Sequence, residues 1–284
     1  MVYDIHSVNQ DAIIKMVELL KLKGYSKSTI KTYRSEFAQF LIALKNNPVN
    51  TCDAQKVRSY MLYCSENLKL SENTLHSRLN ALKFYFEQVL HREKYFVDIP
   101  RPKKHLKLPK TIHQNDIKKM LDVTTNLKHN TMLKLCYGMG LRLSEIINIK
   151  IKDIDSQNMQ VFIERAKGKK DRYVNLPQSI LEQLRMYYKE YRPKKYLFEG
   201  QGGGQYNKRS LQNVFKNALS KAGINKDVGI HSLRHSYATH LLENGTDIRF
   251  IQELLGHNSI KTTLIYTNVT NDSIRKIRSP LDNL

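Results

Sequence analysis

Several absences narrow the class of this protein before any motif is considered. Cysteine is scarce, and Cys52, Cys64 and Cys136 are widely spaced with no C-x-x-C pair, which argues against a disulfide framework and favours a reducing compartment. The N-terminus has no apolar stretch typical of a signal peptide, and nowhere do 18 apolar residues run together. We therefore expect a cytoplasmic protein without a membrane partner.

Acidic residues are too few to balance the basic ones. The 284 residues include 47 lysines and arginines against 26 aspartates and glutamates, which gives a formal net charge of +21. The excess is not confined to a tail. Up to and including Lys107 there are 18 basic and 10 acidic residues, and after it there are 29 basic and 16 acidic residues. A long polyanion that contacts both halves is the simplest partner, although a solvated basic surface or attraction to an anionic membrane would also fit the charge alone.

The first 99 residues have the periodicity of helices. Apolar residues recur at three- and four-residue steps in two strong runs, and weaker helical patterns cover about 11–23 and 54–67. Ser26 and Ser71 stand just before the strong runs, where a serine commonly caps a helix. We predict a small domain of four helices over residues 1–99. The two strong runs comprise residues 30–44 and 75–89.

Residues 100–109 contain three prolines, which disfavour regular structure. Their four basic side chains would repel one another unless an anion ran alongside them. We predict an extended basic linker that contacts a polyanion, with a plain spacer as the alternative. The four basic residues are Arg101, Lys103, Lys104 and Lys107.

Residues 110–284 mix helical and strand patterns. Strand-forming residues at 160–166 and 172–176 flank a basic segment at 167–171, which predicts a β-hairpin with a basic tip. Helical patterns lie on both sides of it, and glycines follow the helices near the C-terminus, as expected of left-handed caps. The predicted helices are 114–123, 131–138, 144–149, 178–191, 209–222, 232–243, 247–255 and 260–266.

The last third of the chain carries the lines H-S-L-R-H and L-G-H, followed by a tyrosine, Tyr266. On a helix, His231 and Arg234 share one face, where the guanidinium can hold two phosphate oxygens and the imidazole can exchange a proton near neutral pH. His235 lies near that face, whereas His257 follows a glycine at a bend. A phenol is a weak nucleophile until a base or nearby cations activate it. Together these residues suit attack of a tyrosine on a phosphodiester.

With these motifs the chain resembles the tyrosine recombinases, the family of phage integrases and Xer-type recombinases. The H-x-x-R box and the L-G-H line match in order and spacing, as do the upstream segments G-L-R-L-S-E and R-A-K-G-K-K-D-R. One departure is Asn268, where the family often has a histidine. By this resemblance the catalytic residues are Arg142, Lys167, His231, Arg234, His257 and Tyr266, with Glu145 in support of Arg142.

Each residue type in that set suits one step of the reaction. The two arginines and the later histidine would stabilise negative charge on the non-bridging phosphate oxygens. His231 is the predicted base for the Tyr266 proton. Lys167 is the predicted general acid for the departing 5′ oxygen, with Lys169 and Lys170 as neighbouring alternatives.

The resemblance also implies a fold, a reaction and partners. The fold is mainly α, with an N-terminal helical core-binding domain of SAM-like type and a C-terminal mixed α/β catalytic domain over 110–284 that contains a small β-sheet. The implied reaction is site-specific recombination of double-stranded DNA through a 3′-phosphotyrosine, without metal, ATP or another cofactor. Homo-oligomers are expected, a dimer on each site and a tetramer on two, and an accessory DNA-bending protein is a candidate partner. The expected DNA contacts are Arg101, Lys103, Lys104, Lys107, Lys169 and Lys170.

Three alternatives stay open on the residues alone. A zinc enzyme would use the i, i+4 spacing of His231 and His235, but the Glu of H-E-x-x-H is absent and Arg234 would repel the cation. A non-catalytic DNA-binding protein would bind by charge and helices, without using Tyr266. A type IB topoisomerase, similar in chemistry, would relax supercoils without site preference.

Overall fold

The fold is described from a computed structural model, which covers residues 4–92, 108–166 and 170–267 but not the side chains of residues 165, 166 and 170. Internal contacts divide the chain into two compact units, Met1–Leu106 and Lys107–Leu284. The basic residues of the predicted linker, Arg101, Lys103, Lys104 and Lys107, lie outside the described residues.

The first unit is helical, as its periodicity predicts. Its apolar stripes face inward, and Phe37, Leu41 and Leu82 are fully buried in one core. No helix within the described residues is long and apolar enough to cross a membrane. The helices are α1 (Ser7–Leu22), α2 (Lys27–Leu44), α3 (Ala54–Glu66) and α4 (Glu72–Lys83).

Two serines begin helices in this unit. The Ser26 hydroxyl accepts a hydrogen bond from the Thr29 N–H at 3.1 Å, and the Ser71 hydroxyl accepts one from the Thr74 N–H at 3.4 Å. Each bond satisfies a backbone donor that the helix cannot satisfy itself, which typically contributes about 1 kcal/mol. Both predicted caps are therefore confirmed. The second strong run is not one regular helix, however, because α4 continues as a π-helical turn, Phe84–Val89.

The second unit combines helices with one small sheet. The predicted helices occur, with shifted ends: α6 begins four residues before 131, α7 stops at Ile146, and the last predicted helix changes to a 3₁₀ turn at Leu264–Tyr266. The elements are α5 (Gln114–Asp122), α6 (Leu127–Gly138), α7 (Leu143–Ile146), β1 (Ile154–Asp155), β2 (Gln160–Ala166), β3 (Lys170–Asn175), α8 (Gln178–Tyr191), α9 (Lys208–Lys221), α10 (His231–Glu243), α11 (Ile248–Leu255) and α12 (Ile260–Thr263).

The sheet is antiparallel with the order β1-β2-β3. The predicted hairpin is confirmed, since Val161 pairs with Val174 and Ile163 with Arg172. Val161, Ile163 and Val174 are buried, which places one face of the hairpin on the core. The short strand β1 was not predicted, because two residues are too few to show a period of two.

Two glycines shape the loops that surround α10. Gly256 ends α11 in the left-handed region with φ +61°, as predicted for that position. Gly140, between α6 and α7, has φ +59° and packs so tightly that an added Cβ would lie 2.3 Å from the Tyr237 ring. Only glycine fits there without strain. The loop at Gly140 and the end of α11 bring two backbone carbonyls, those of Gly140 and Leu255, to the side chain of Arg234 in the first turn of α10.

Candidate active site

Glu145 is the centre of an ion-pair network. It is 7% exposed and lies at the start of α7, where its carboxylate accepts the backbone N–H of Arg142 at 2.9 Å and pairs with the Arg142 guanidinium at 2.7 Å. Arg172 of β3 binds both carboxylate oxygens, at 2.9 and 2.8 Å. Burial alone would raise the pKa of Glu145, but the hydrogen bonds and charge of Arg172, with those of Arg142 and Arg234, lower the pKa to about 2. The carboxylate is therefore ionised at neutral pH.

Arg234 of α10 is almost completely buried, with 2% exposure. Its Nη1 donates to the Gly140 carbonyl at 2.7 Å and its Nη2 to the Leu255 carbonyl at 2.5 Å. Nη1 also lies 3.8 Å from a Glu145 oxygen. Burial and the charge of Arg142 lower the pKa of Arg234 to about 9, so the guanidinium still carries its charge at neutral pH. The side chain is held at a fixed position by backbone as well as by charge.

His257 follows the glycine that ends α11. Its Nε2 lies 3.3 Å from Arg234 Nη2 and its Nδ1 lies 2.9 Å from Thr263 Oγ1. Because a guanidinium can only donate, Nε2 must accept and the Nδ1 N–H must donate to Thr263. Burial and the neighbouring arginines lower the pKa of His257 to about 4. The structure thus defines one neutral tautomer of this imidazole.

Tyr266 lies beside these groups and is 2% exposed. Its hydroxyl is 3.0 Å from Nδ1 of His235. Its ring is nearly parallel to that of His257, with 6.4 Å between the centroids. Burial raises the pKa of Tyr266, and the charges of Arg234 and Arg142 lower it in part.

The structure brings together most of the predicted site residues. Arg142, Arg234, His257 and Tyr266 form one contiguous group around Glu145. His231 is exposed in the first turn of α10, and its ring meets that of His235 edge-on with 5.0 Å between centroids. Lys167 and Lys169 lie outside the described residues, as does the side chain of Lys170.

The group has an excess of positive charge. Three guanidinium groups, those of Arg142, Arg172 and Arg234, share the single carboxylate of Glu145. Among the described residues, no cluster of three or more His, Cys, Asp or Glu could hold a metal ion. The arrangement is suited to bind an anion, such as a phosphate, next to a phenol.

Comparisons with known proteins identify the same family for both units. Residues 110–272 match the model of the phage integrase family, and residues 13–94 match the model of the phage integrase N-terminal SAM-like domain. The chain belongs to the phage integrase family. Among its relatives, a putative integrase/recombinase y4qK of Sinorhizobium fredii is 36% identical over 95% of this chain and 88% of that one. The tyrosine recombinase XerA of Pyrococcus horikoshii is 34% identical over 95% of this chain and 93% of its own length.

A solved structure supports the same fold. The XerH site-specific recombinase, bound to a palindromic difH substrate in a post-cleavage complex, superposes with a TM-score of 0.73 at 21% identity, covering 99% of this chain and 92% of that one. The predicted class, a tyrosine recombinase with a SAM-like helical domain and a catalytic domain containing a small sheet, is confirmed. With it, the prediction of an enzyme of site-specific recombination is confirmed.

Two site residues of this recombinase are missing from the predicted set. Arg172 is the strongest partner of Glu145, and its Nε also donates to the Leu254 carbonyl at 3.0 Å. His235 is the hydrogen-bond partner of Tyr266. The i, i+4 spacing from His231 placed His235 near the right helical face, but the contact with Tyr266 depends on how the 3₁₀ turn packs against α10. Arg172 could have been found from the sequence, because it is a charged residue at a core-facing position of a predicted strand, and a buried charge needs a partner.

Proposed function

We propose that this recombinase cuts and rejoins double-stranded DNA at specific sites through a 3′-phosphotyrosine formed at Tyr266. The observation that carries the proposal is the burial of the Tyr266 phenol near the charges of Arg234 and Arg142, which share the carboxylate of Glu145 with Arg172. The site therefore has a net positive charge that can bind a phosphodiester, and Tyr266 is a nucleophile close to that charge.

The proposed roles follow from the donors available in the site. Attack on the phosphorus builds negative charge on the non-bridging oxygens, and fixed guanidinium groups stabilise that charge without reorganisation. We assign this role to Arg142, Arg234 and His257. His257 now accepts from Arg234, so donation to phosphate requires a proton on Nε2. A bound phosphate would favour that protonation, because a nearby anion raises the pKa of an imidazole.

The proposed chemistry conserves bonds and consumes no cofactor. The Tyr266 oxygen forms a bond to phosphorus as the bond from phosphorus to the 5′ oxygen breaks, and Lys167 gives the leaving oxygen a proton. His231 is the base implied by the family resemblance. In the reverse step a 5′ hydroxyl attacks the phosphotyrosine and releases Tyr266. The energy of the broken bond is kept in the linkage, so no ATP is needed. The guanidinium groups and His257 supply the charge stabilisation that a metal ion could otherwise give.

The proposed partners are DNA sites and further copies of this chain. We propose a dimer on each site, a tetramer on two sites, an accessory DNA-bending protein as a candidate partner, and a cytoplasmic location. The DNA partner is supported by the net charge of +21 and by relatives and a structural neighbour that are named as recombinases. The oligomers and the accessory protein rest on the family resemblance, and the location rests on the three scattered cysteines. The proposed DNA contacts are Arg101, Lys103, Lys104, Lys107, Lys169 and Lys170.

Covalent capture tests the proposal and finds the site. Nicked duplex fragments of the source genome are incubated with the protein, the reaction is stopped with detergent, and DNA that stays attached to protein is sequenced. We expect attached strands to end at a recurring sequence for the wild type and no attached DNA for Tyr266→Phe. Tyr137→Phe is a matched control, because Tyr137 also bonds a histidine of α10, at 3.0 Å from His240 Nδ1.

The outcomes separate the alternatives. Attached DNA in Tyr266→Phe would refute the assigned nucleophile. Attachment without sequence preference, together with relaxation of supercoiled plasmid, would indicate a topoisomerase-like enzyme. Specific binding without any attachment, in the wild type as in Tyr266→Phe, would indicate a non-catalytic DNA-binding protein.

A further inference from the structure

The Tyr266 hydroxyl faces a residue to which neither the motif nor the proposed mechanism gives a role. His235 is half-buried, and its Nδ1 is 3.0 Å from the phenolic oxygen. The ring centroids are 5.7 Å apart. His231, by contrast, is exposed, and its ring meets that of His235 edge-on. His235 therefore contacts both the exposed histidine and the buried phenol.

The surroundings of His235 keep its imidazole neutral. Burial comes first, and the charges of His231 and Arg234 on the same helix add to it, so that the pKa of His235 falls to about 4. The groups that face it from other elements are Tyr266 of the 3₁₀ turn and His257 after α11. A neutral imidazole with its proton on Nε2 has a free lone pair on Nδ1. It can therefore accept the phenolic hydrogen bond. The negative charge of a bound phosphodiester would raise the pKa of His235, as it would that of His257, so that Nδ1 can take the proton as the phenol attacks.

We propose that His235, in place of the His231 that the family resemblance implies, is the catalytic residue that accepts the Tyr266 proton as the phenol attacks the phosphodiester. The inference rests on the proposed function. In this step the phenolic O–H bond breaks and its proton moves to Nδ1 of His235, while the phenolic oxygen bonds to phosphorus and the 5′ oxygen leaves with a proton from the general acid. During rejoining, His235 returns the proton to the departing phenolate.

A second histidine–tyrosine pair in the same unit serves as an internal reference. Tyr137 and His240 form the same bond, phenol to Nδ1 at 3.0 Å, and the rings meet edge-on. The charges that lower the pKa of Tyr266 in part are those of Arg234 and Arg142, whereas no arginine contributes to the raised pKa of Tyr137. The two pairs share the bonded atoms and the 3.0 Å distance but differ in the charges nearby, so His240 is the matched control for His235.

The kinetic test measures the rate of covalent attachment in a single turnover on a nicked substrate that carries the captured site. His235→Asn places an amide near the Nδ1 position, where it can accept a hydrogen bond but not a proton. We expect about a 10²- to 10⁴-fold slower rate at pH 7, while His240→Asn stays within about twofold. The His235→Asn rate should rise about tenfold per pH unit toward the phenol pKa, since phenolate must then form without help. The wild-type rate should change little over the same range.

A wild-type rate and a wild-type pH profile in His235→Asn would overturn the inference while leaving the proposed function intact. Loss of all attachment in the wild type would instead overturn the proposed function. Circular dichroism at the assay temperature confirms that both variants are folded.

A second measurement needs neither DNA nor a folded His235 variant. In the wild-type protein, ¹⁵N resonances of the imidazole report which nitrogen carries the proton. We expect the proton of His235 on Nε2, and a shift of its Nδ1 resonance in Tyr266→Phe. A proton on Nδ1, with no response to Tyr266→Phe, would also overturn the inference.

Discussion

At the scale of single residues, one carboxylate organises the site. Glu145 neutralises part of the charge of three arginines that would otherwise repel one another in a buried place. Its bonds reach α7, β3 and α10, so the position of each guanidinium depends on the same two oxygens. A buried ion pair is strongly sensitive to loss of one partner, because the other charges remain buried without compensation.

Glu145→Gln is therefore expected to lower the free energy of unfolding by about 3–5 kcal/mol at pH 7, measured by urea denaturation. The control is Glu164→Gln, since Glu164 pairs with Lys150 on the surface with side chains 45% and 28% exposed. There we expect a loss of about 1 kcal/mol or less. The folded pKa of Glu145 is about 2 against an ordinary 4.5, so its contribution is present above pH 4.5 and is lost as the pH falls through 2. Equal losses in the two variants would contradict this account.

Most residues of the site could be predicted from the sequence, but the contacts between them could not. Arg142, Arg234, His257 and Tyr266 were expected from motifs, and the structure brings them together. The bond between His235 and Tyr266 could not be expected, because it depends on the packing of a 3₁₀ turn against α10 and not on spacing within either. Likewise, the neutral tautomer of His257 follows only from its two partners, Arg234 and Thr263.

At the scale of elements, local signals were reliable where a side chain acts on its own helix. The caps at Ser26 and Ser71 and the hairpin of β2 and β3 were predicted because capping and alternation are local. The π-helical turn after α4 and the two-residue β1 were missed. An apolar run does not distinguish a π turn from an α turn, and two residues are too few to show a period of two. The loop before α7 and the C-terminal end of α11 matter most for the site, because their carbonyls bind Arg234.

Gly140→Ala tests how tightly the loop before α7 is packed. Two effects should destabilise this variant. The left-handed backbone, with φ +59°, costs about 1–2 kcal/mol for a residue with a Cβ, and the 2.3 Å approach of that Cβ to the Tyr237 ring costs about 1–3 kcal/mol through overpacking. Gly245→Ala is the control, since Gly245 has φ +83° with nothing within 4 Å of the added atom. Thermal unfolding should show Gly140→Ala to be the more destabilised by at least about 1 kcal/mol. Equal melting temperatures would mean that the ring moves aside.

At the scale of the whole molecule, the net positive charge determines how strongly DNA binding depends on salt. A net charge of +21 spread over both halves implies many contacts to phosphates, each of which releases counterions when it forms. Such binding is fast and strongly dependent on salt, whereas sequence preference must come from contacts to bases.

The affinity for the captured site is expected to fall steeply with salt. If six to ten phosphates are contacted, the dissociation constant rises by about 10³- to 10⁵-fold between 50 and 200 mM NaCl. Fluorescence anisotropy with labelled duplex measures this, and a scrambled duplex is the control. Both should show steep slopes, because phosphate contacts do not read sequence. A slope near zero for either duplex would contradict an electrostatic origin of binding.

The backbone partners of Arg234 have a consequence for how such a protein can change over evolutionary time. Two of its acceptors are the carbonyls of Gly140 and Leu255, and every amino acid supplies a carbonyl. A substitution at Leu255 can alter packing but cannot delete the acceptor. The orientation of this arginine is thus buffered against much point mutation nearby, and the surrounding surface is left free to diverge and acquire new DNA sites.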